Sequence, residues 1–181
     1  MEPLADNVMG VEDNDTEATS YSVGDKVMHP THGPGRITGI THQELVKGFK
    51  HYFIITLSGR AMTTLVPIRK MEGLGIRPAM SRTEVMSVLE HLKSAPQNLP
   101  QDHRERQALL EQMIKPRRPM QVAEAVRDLT WYGRQGHLTA SNQRLLTQGR
   151  EILASEMALA LDTSVVDAQG AIHAALSGDS R

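Results

Sequence analysis

Residues 24–37 read GDKVMHPTHGPGRI, and this stretch is more informative than any other part of the chain. It begins as a short apolar strand, passes through a loop rich in glycine and proline, and continues into a second strand. Its three glycines and two prolines favour a tight turn with backbone angles that most residues avoid. Nothing in the stretch is typical of a reacting group, so it predicts a structural turn between two strands.

The segment around this turn has the composition of a small β domain. From residue 21 to about 71 it is rich in Ile, Val, Thr and Phe, and LSGR at 57–60 favours a hairpin turn. Short strands joined by hairpins protect their edges best when the sheet closes, so we predict a small closed barrel of the SH3 or Tudor kind. The candidate strands are Val23–Met28, Gly35–Thr41, His51–Leu57 and Ala61–Pro67, with a short fifth candidate at Ile68–Met71.

The hydrophobic spacing becomes helical from about residue 78. Ser81 is suited to cap a first helix whose apolar stripe contains Val85 and Leu92. The sequence therefore predicts an α+β protein of two domains, a β-barrel over 21–75 followed by a five-helix all-α domain over 78–177. The four further helices are predicted over about 101–114, after Pro119 with an end at Gly133 and Gly136, after a Thr139 cap, and from Thr163 or Ser164 to Leu176.

Composition limits the kinds of site that the chain can hold. With no cysteine among 181 residues, it has no disulfide, thiolate metal site or cysteine nucleophile. Aromatic residues make up only 3%, so we expect a core of aliphatic residues and methionine. No apolar run approaches membrane-spanning length, and the acidic N-terminus does not resemble a signal peptide. These features predict a cytoplasmic protein that has no membrane partner.

A formal net charge of −1 conceals a segregation of charge along the chain. Residues 1–20 contain six acidic residues and no Lys or Arg, whereas residues 21–80 contain eight basic residues against three acidic ones. Residues 102–150 contain nine basic residues against five acidic ones. We predict that residues 1–20 are a disordered acidic tail, which either keeps the protein soluble or shields its basic surface as a mimic of DNA.

Motifs of known catalytic and cofactor sites are missing from the sequence. It has no phosphate-binding Gly-Lys-Ser/Thr loop, no Gly-x-Ser-x-Gly elbow and no His-Glu-x-x-His pair. Four histidines fall in the β domain, but neither cysteine nor a nearby carboxylate cluster completes a four-ligand zinc site. We therefore predict a protein that is not an enzyme, with no cofactor, no metal and no small-molecule substrate.

One helix–loop–helix junction of the helical region concentrates positive charge. Such side chains neutralise phosphates with release of counterions, so the cluster either contacts DNA or is an ordinary solvated basic face. His103 and Trp131 are flat rings nearby, of which Trp131 is expected to pack in the core. No recognition-helix pattern is present, so we expect readout of the DNA backbone and shape. The basic residues of the cluster are Arg104, Arg106, Lys115, Arg117, Arg118, Arg127 and Arg134.

Several motifs, taken in order, resemble the CarD/CdnL family of bacterial transcription regulators. Residues 24–35 match that family's opening Gly-Asp-x-Val-x-x-Pro-x-His-Gly-x-Gly pattern. Residues 122–129, VAEAVRDL, are similar to its Val-Ala-Glu-Val-Val-Arg-Asp-Leu helix. LVP at 65–67 and QGREILASE at 148–156 resemble further family segments, so the similarity extends over both predicted domains.

The resemblance implies that the two domains bind different partners. The helical domain would lie on promoter DNA at the upstream edge of the open bubble, touching the backbone and minor groove through His103 and the basic cluster. Family members thereby stabilise the open promoter complex and alter initiation, which would place the protein on the nucleoid. The barrel would bind the β subunit of bacterial RNA polymerase by adding a strand to it. That strand would consist of Met62, Thr63, Thr64, Leu65, Val66 and Pro67.

One departure from the family pattern concerns His103. The family typically has a Trp at this position that inserts into the minor groove, and an imidazole ring offers less stacking area. We therefore expect weaker insertion here and a larger contribution from arginine contacts. The same departure leaves an alternative open, namely an adaptor that binds RNA polymerase without productive DNA binding. The acidic tail is a second departure from short-tailed members.

Overall fold

A computed structural model describes residues 20–59, 62–136 and 138–178. It confirms the predicted α+β architecture, a small antiparallel sheet followed by helices. The predicted acidic tail lies outside the described residues, apart from Ser20. The five strands are β1 (Lys26–His29), β2 (Gly33–Val46), β3 (Phe49–Leu57), β4 (Thr63–Pro67) and β5 (Arg77–Pro78).

The glycine-rich stretch forms the β1–β2 hairpin, as its composition predicts. Gly33 has a φ of +85°, a left-handed conformation that favours glycine. A Cβ on Gly35 would lie 2.9 Å from both Cγ2 of Ile55 and the carbonyl oxygen of Thr56. Glycine at this position therefore lets β2 and β3 approach each other closely.

The sheet has an apolar inner face and two edge strands. Val27, Ile37, Phe53 and Ile55 are buried together in its core. The strands follow the order β4-β3-β2-β1-β5, which leaves β4 and β5 at the edges. The strand pairing of the described residues therefore does not close the barrel between β4 and β5, unlike the expectation of a fully closed sheet.

The short fifth strand predicted at Ile68–Met71 is wrong. Residues Ile68–Lys70 form a 3-10 helix, because Ile68 and Met71 lie three residues apart and a single turn directs both side chains into the core. The fifth strand is instead Arg77–Pro78, which pairs with β1. It leads directly into the helical region.

Five helices follow, as predicted. Side chains at four N-termini accept hydrogen bonds from the first-turn backbone, and these caps are Ser81, Asp102, Thr139 and Ser164. The Ser81 cap is a reciprocal capping box with the Glu84 side chain. The helices are α1 (Arg82–Lys93), α2 (His103–Ile114), α3 (Pro119–Gln135), α4 (Ala140–Leu161) and α5 (Val165–Ser177).

The long helix α4 organises the helical domain. It packs against α3 and α5, and it also contacts β1 and β2 of the sheet. Leu153 and Met157 are buried in its contact face. Of the two glycines predicted to end α3, Gly136 is the observed C-cap, whereas the helix continues through Gly133 to Gln135. No helix in the described part of the chain has the length and apolar character needed to cross a membrane.

Candidate functional site

The strand predicted to bind RNA polymerase, β4, lies at an edge of the sheet and pairs with β3. The N–H of Leu57 donates to the carbonyl oxygen of Met62 at 3.0 Å. Because hydrogen-bonded and non-hydrogen-bonded pairs alternate along antiparallel strands, the backbone groups of Thr63 and Leu65 point away from β3. No backbone hydrogen bond among the described residues occupies that outer side, so it can accept another strand.

The side chains of this edge divide between solvent and core. Leu65 is 39% exposed and forms the apolar centre of the outer surface. Val66 points into the barrel core and anchors the strand there. The structure thus brings all six predicted residues together on one edge. The exposed ones are Met62, Thr63 and Leu65, the half-buried ones Thr64 and Pro67, and the buried one Val66.

The predicted basic cluster does not form one surface. Arg117 is half-buried, and Arg106 and Arg127 are each only 5% exposed. The structure removes Arg106 and Arg127 from the candidate DNA contacts, because their guanidinium groups are enclosed by the helical domain. The basic residues of the cluster that face solvent are Arg104, Lys115, Arg118 and Arg134.

Arg106 holds the start of α2 against α3. Its Nη1 donates to the carbonyl oxygens of Pro100 at 2.7 Å and Gln101 at 3.0 Å. Its guanidinium carbon lies 4.8 Å from the centroid of the Tyr132 ring. These contacts use the charge to fix the loop before α2, and no phosphate could reach it without displacing them.

Arg127 joins α3 to α1 and to the loop between α1 and α2. Its Nε donates to Oδ1 of Asp128 at 2.8 Å, and its Nη1 donates to Oγ of Ser94 at 2.8 Å and lies 3.1 Å from Nε2 of His91. Asp128 also accepts from the backbone N–H of Gln97 at 3.0 Å. The pair is nearly fully buried and connects α3 to the end of α1 and the loop after it.

Arg117 lies at the junction of the two domains. Its backbone has a φ of 53°, and its carbonyl oxygen accepts a 2.7 Å hydrogen bond from Nη2 of Arg77. Its Nη1 lies beside Gly33, and a Cβ added to that glycine would be 3.8 Å from this nitrogen. Arg117 therefore contacts the β1–β2 hairpin, whereas its neighbours Lys115 and Arg118 face solvent.

His103 is the first residue of α2 and is exposed. The preceding residue, Asp102, caps the helix by accepting from the backbone N–H groups of Arg104 and Glu105 at 2.8 and 2.9 Å. The bond from Glu105 is the main cause that lowers the pKa of Asp102, so the capping carboxylate stays charged near neutral pH. The cap fixes His103 and Arg104 side by side on the surface.

The expectation that Trp131 packs in the core is wrong, since this side chain is 44% exposed. The buried face of α3 contains Val122, Val126 and Leu129. Trp131 lies two residues beyond Leu129, and at about 100° per residue it falls on the opposite side of the helix. The helical spacing in the sequence already contained this signal.

The histidines of the β domain form two pairs. The ring centroids of His29 and His32 are 4.5 Å apart, as are those of His42 and His51. Within residues 20–59, 62–136 and 138–178, no three or more potential metal ligands come together. Nδ1 of His29 accepts from the backbone N–H groups of Thr31 and His32, at 3.1 and 3.2 Å. His29 is thereby a structural part of the turn.

Titration of His29 should make stability depend on pH. Burial lowers the pKa of His29, and the nearby His32 and Arg117 lower it further. The neutral ring therefore contributes stability above about pH 6.5, the unfolded value, and this contribution is lost as the pH falls through the lower folded pKa. His29→Asn keeps an acceptor for the Thr31 N–H but does not titrate. We expect the free energy of unfolding, measured in urea, to fall less on acidification in the variant than in the wild type. Equal losses would contradict this role.

The contact between the domains was not anticipated from the sequence. Nζ of Lys26 lies 2.6 Å from Oδ2 of Asp162, and Nη2 of Arg36 lies 3.0 Å from Oδ1 of the same carboxylate. A third ion pair joins Arg77 to Glu156. The hydrogen bond from Lys26 is the main cause that lowers the pKa of Asp162. All three cations belong to the sheet, and both carboxylates lie on or directly after α4.

Comparison with known proteins agrees with this two-part architecture. Residues 21–80 match the family model "CarD-like/TRCF RID domain", and residues 87–173 match "CarD, C-terminal domain". The chain is also similar to the "Putative transcription factor YdeB" of Bacillus subtilis (strain 168). The two are 29% identical over 140 residues, which cover 76% of this chain and 90% of that protein. Because the two models follow each other in order and coincide with the sheet and the helices, the chain belongs to the CarD/CdnL family of transcription regulators.

Proposed function

We propose that the protein binds the β subunit of bacterial RNA polymerase through β4 and promoter DNA through its helical domain, near the upstream edge of the bubble. Contact with both would stabilise the open complex and modulate initiation, in the cytoplasm and on the nucleoid. The observation that carries this proposal is the open outer side of β4 with Leu65 exposed on it. The RID-domain match supports interaction with RNA polymerase in general terms.

The β4 edge suits recognition by strand addition. Outward backbone groups supply affinity in this mode, and exposed side chains supply specificity. Leu65 of β4 pairs with Ile54 of β3, which gives one apolar pair on the exposed face. Beside it, the hydroxyls of Thr38 and Thr56 are hydrogen-bonded to each other at 3.0 Å. A partner strand added to β4 would therefore lie next to Leu65, while Thr56 on β3 and Thr38 on β2 lie farther from it.

The helical domain suits contact with DNA by charge and shape. Four exposed basic side chains remain after the buried arginines are removed, and His103 stands beside one of them at the start of α2. Charges of this kind position a protein on phosphates without reading the bases. The imidazole of His103 is smaller than an indole and offers less area for insertion into the minor groove. The basic side chains therefore carry most of the proposed affinity for DNA.

Salt dependence tests the DNA contact. Arg104→Gln and Arg118→Gln should each weaken binding to promoter duplexes regardless of sequence, and each should reduce the slope of log K against log salt by about one. Fluorescence anisotropy across a salt series measures both. Lys50→Gln removes an exposed charge from the sheet and should leave the slope unchanged. Slopes that stay equal in all three variants would remove these arginines from the interface.

A second candidate function is an adaptor that binds RNA polymerase without productive DNA binding. It is favoured by the enclosure of Arg106 and Arg127 and by the presence of His103 at the exposed start of α2. The same titration separates the two functions, because an adaptor would show no measurable DNA affinity even at low salt while it still bound the polymerase subunit.

A further inference from the structure

One arginine connects the sheet, α4 and the loop between α2 and α3. Arg77 lies in β5, and its Nη1 and Nη2 donate to Oε1 and Oε2 of Glu156 at 2.6 and 2.8 Å. Glu156, in α4, is completely buried and also accepts from the backbone N–H of Met80 at 3.0 Å. Nη2 of Arg77 further donates to the carbonyl oxygen of Arg117 at 2.7 Å.

This geometry restrains the arrangement of the two domains. A planar guanidinium that grips a carboxylate with two parallel bonds fixes both distance and angle, whereas apolar contacts tolerate sliding. The carboxylate of Glu156 is buried, so any rotation that breaks the pair leaves an uncompensated charge. Arg77 and Glu156 therefore resist relative motion of the sheet and helices more strongly than the exposed pairs at Asp162, which is 58% exposed.

The same arginine also orders a loop that carries two candidate DNA contacts. Arg117 has a left-handed backbone, which is unusual for a residue with a side chain and needs support from its surroundings. Arg77 supplies that support through the Arg117 carbonyl oxygen. Lys115 and Arg118 flank this residue and face solvent. Arg77 therefore also joins the loop between α2 and α3 to the sheet.

We propose that Arg77 and Glu156 are positioning residues, which hold the helical domain at a fixed angle to the sheet so that polymerase contact and DNA contact occur together. This inference rests on the proposed function. When one molecule binds two sites of an assembly, the second contact gains from a high effective concentration, and that gain is lost if the geometry does not match both sites. Loss of the pair should therefore weaken the bridge and leave the separate contacts intact.

Two matched variants of the full chain test this role. Arg77→Lys keeps the charge but cannot form the two parallel bonds, and Glu156→Gln keeps the shape but removes the charge. We expect each variant to bind an isolated polymerase β fragment and an isolated promoter duplex within about threefold of the wild type, but to lose about tenfold in open-complex lifetime. Asp162→Gly is the control. It removes the exposed interdomain pairs at a residue whose φ of 54° suits glycine, and it should keep the wild-type lifetime.

A distance measurement keeps the inference testable if a variant folds poorly. The chain has no cysteine, so Lys47→Cys and Arg144→Cys provide two unique spin-label sites, one on each domain. We expect a narrow distance distribution in the otherwise wild-type protein and a broad one in Arg77→Lys. A broad distribution in the otherwise wild-type protein would overturn the positioning role. Unchanged open-complex lifetimes in well-folded variants would overturn it as well. Failure of the wild type to bind polymerase would instead overturn the proposed function, and the distance distribution would still report on the pair.

Discussion

Leu65→Glu is expected to abolish capture of the RNA polymerase β subunit while the sheet stays folded. The side chain lies at the centre of the open β4 edge, and a carboxylate there would have to be desolvated against an incoming strand. We expect at least about a 30-fold loss of affinity, or about 2 kcal/mol, which is typical of a central interface residue. Surface plasmon resonance with an immobilised β fragment measures the affinity, and thermal unfolding verifies the fold.

Two further variants separate strand addition from simple apolar docking. Leu74→Glu introduces the same charge at a residue of the same domain that is 49% exposed and lies away from β4, and it should bind normally. Thr63→Pro removes one outward N–H at the first residue of an edge strand, where proline is tolerated. It should weaken binding although the apolar side chains are intact. Equal binding by Leu65→Glu, Leu74→Glu and the wild type would exclude the β4 edge as the contact.

Gly149→Ala is expected to destabilise the helical domain by about 1–3 kcal/mol, the usual cost of overpacking a core. Gly149 is buried where α4 crosses α3, and an added Cβ would lie only 2.6 Å from Cγ2 of Val126 and 3.6 Å from Cγ1 of Val122. Since both neighbours are branched core side chains, the helices would have to separate. Urea unfolding followed by circular dichroism measures the free energy change.

A glycine on the next helix provides the matched control. A Cβ on Gly170 in α5 would meet no atom within 4 Å, so Gly170→Ala should stabilise the protein by up to about 1 kcal/mol through helix propensity alone. The double variant Gly149→Ala with Val126→Ala should be less destabilised than the sum of the two single variants, since it removes the atom in conflict. Gly149→Ala with wild-type stability would show that α3 and α4 can separate at no cost.

Most secondary structure could be predicted from the sequence because its signals act between neighbouring residues. Ser81 and Glu84 form a capping box within one turn of helix, and the hydrophobic spacing after it marks the buried face. The glycine- and proline-rich turn is a local signal of the same kind, and it predicted the β1–β2 hairpin. It misplaced the last strand, because the two-residue pairing of Arg77–Pro78 with β1 carries no pattern of its own.

The candidate site could be predicted only in part. Five of the six predicted residues, Thr63–Pro67, form β4 and Met62 precedes it, but the sequence did not show that this strand forms an open edge. Arg104 and Arg106 look alike in sequence, yet one faces solvent and the other contacts Tyr132 and the carbonyl oxygen of Pro100. Burial of a charge depends on partners that folding brings to it, and a linear pattern of basic residues cannot identify them.

The sequence by itself determined that a β region precedes five helices, and it also determined the Ser81 and Thr139 caps, the glycine-rich turn and the family. Each of these depends on residues within a few positions of one another or on motifs in a fixed order. Only the tertiary structure decided which arginines are free to meet phosphate, that Trp131 is exposed, and how the domains are joined. The ion pair of Arg77 with Glu156 spans 79 residues and that of Lys26 with Asp162 spans 136, so both exist only because the folded chain brings distant charges within hydrogen-bonding distance.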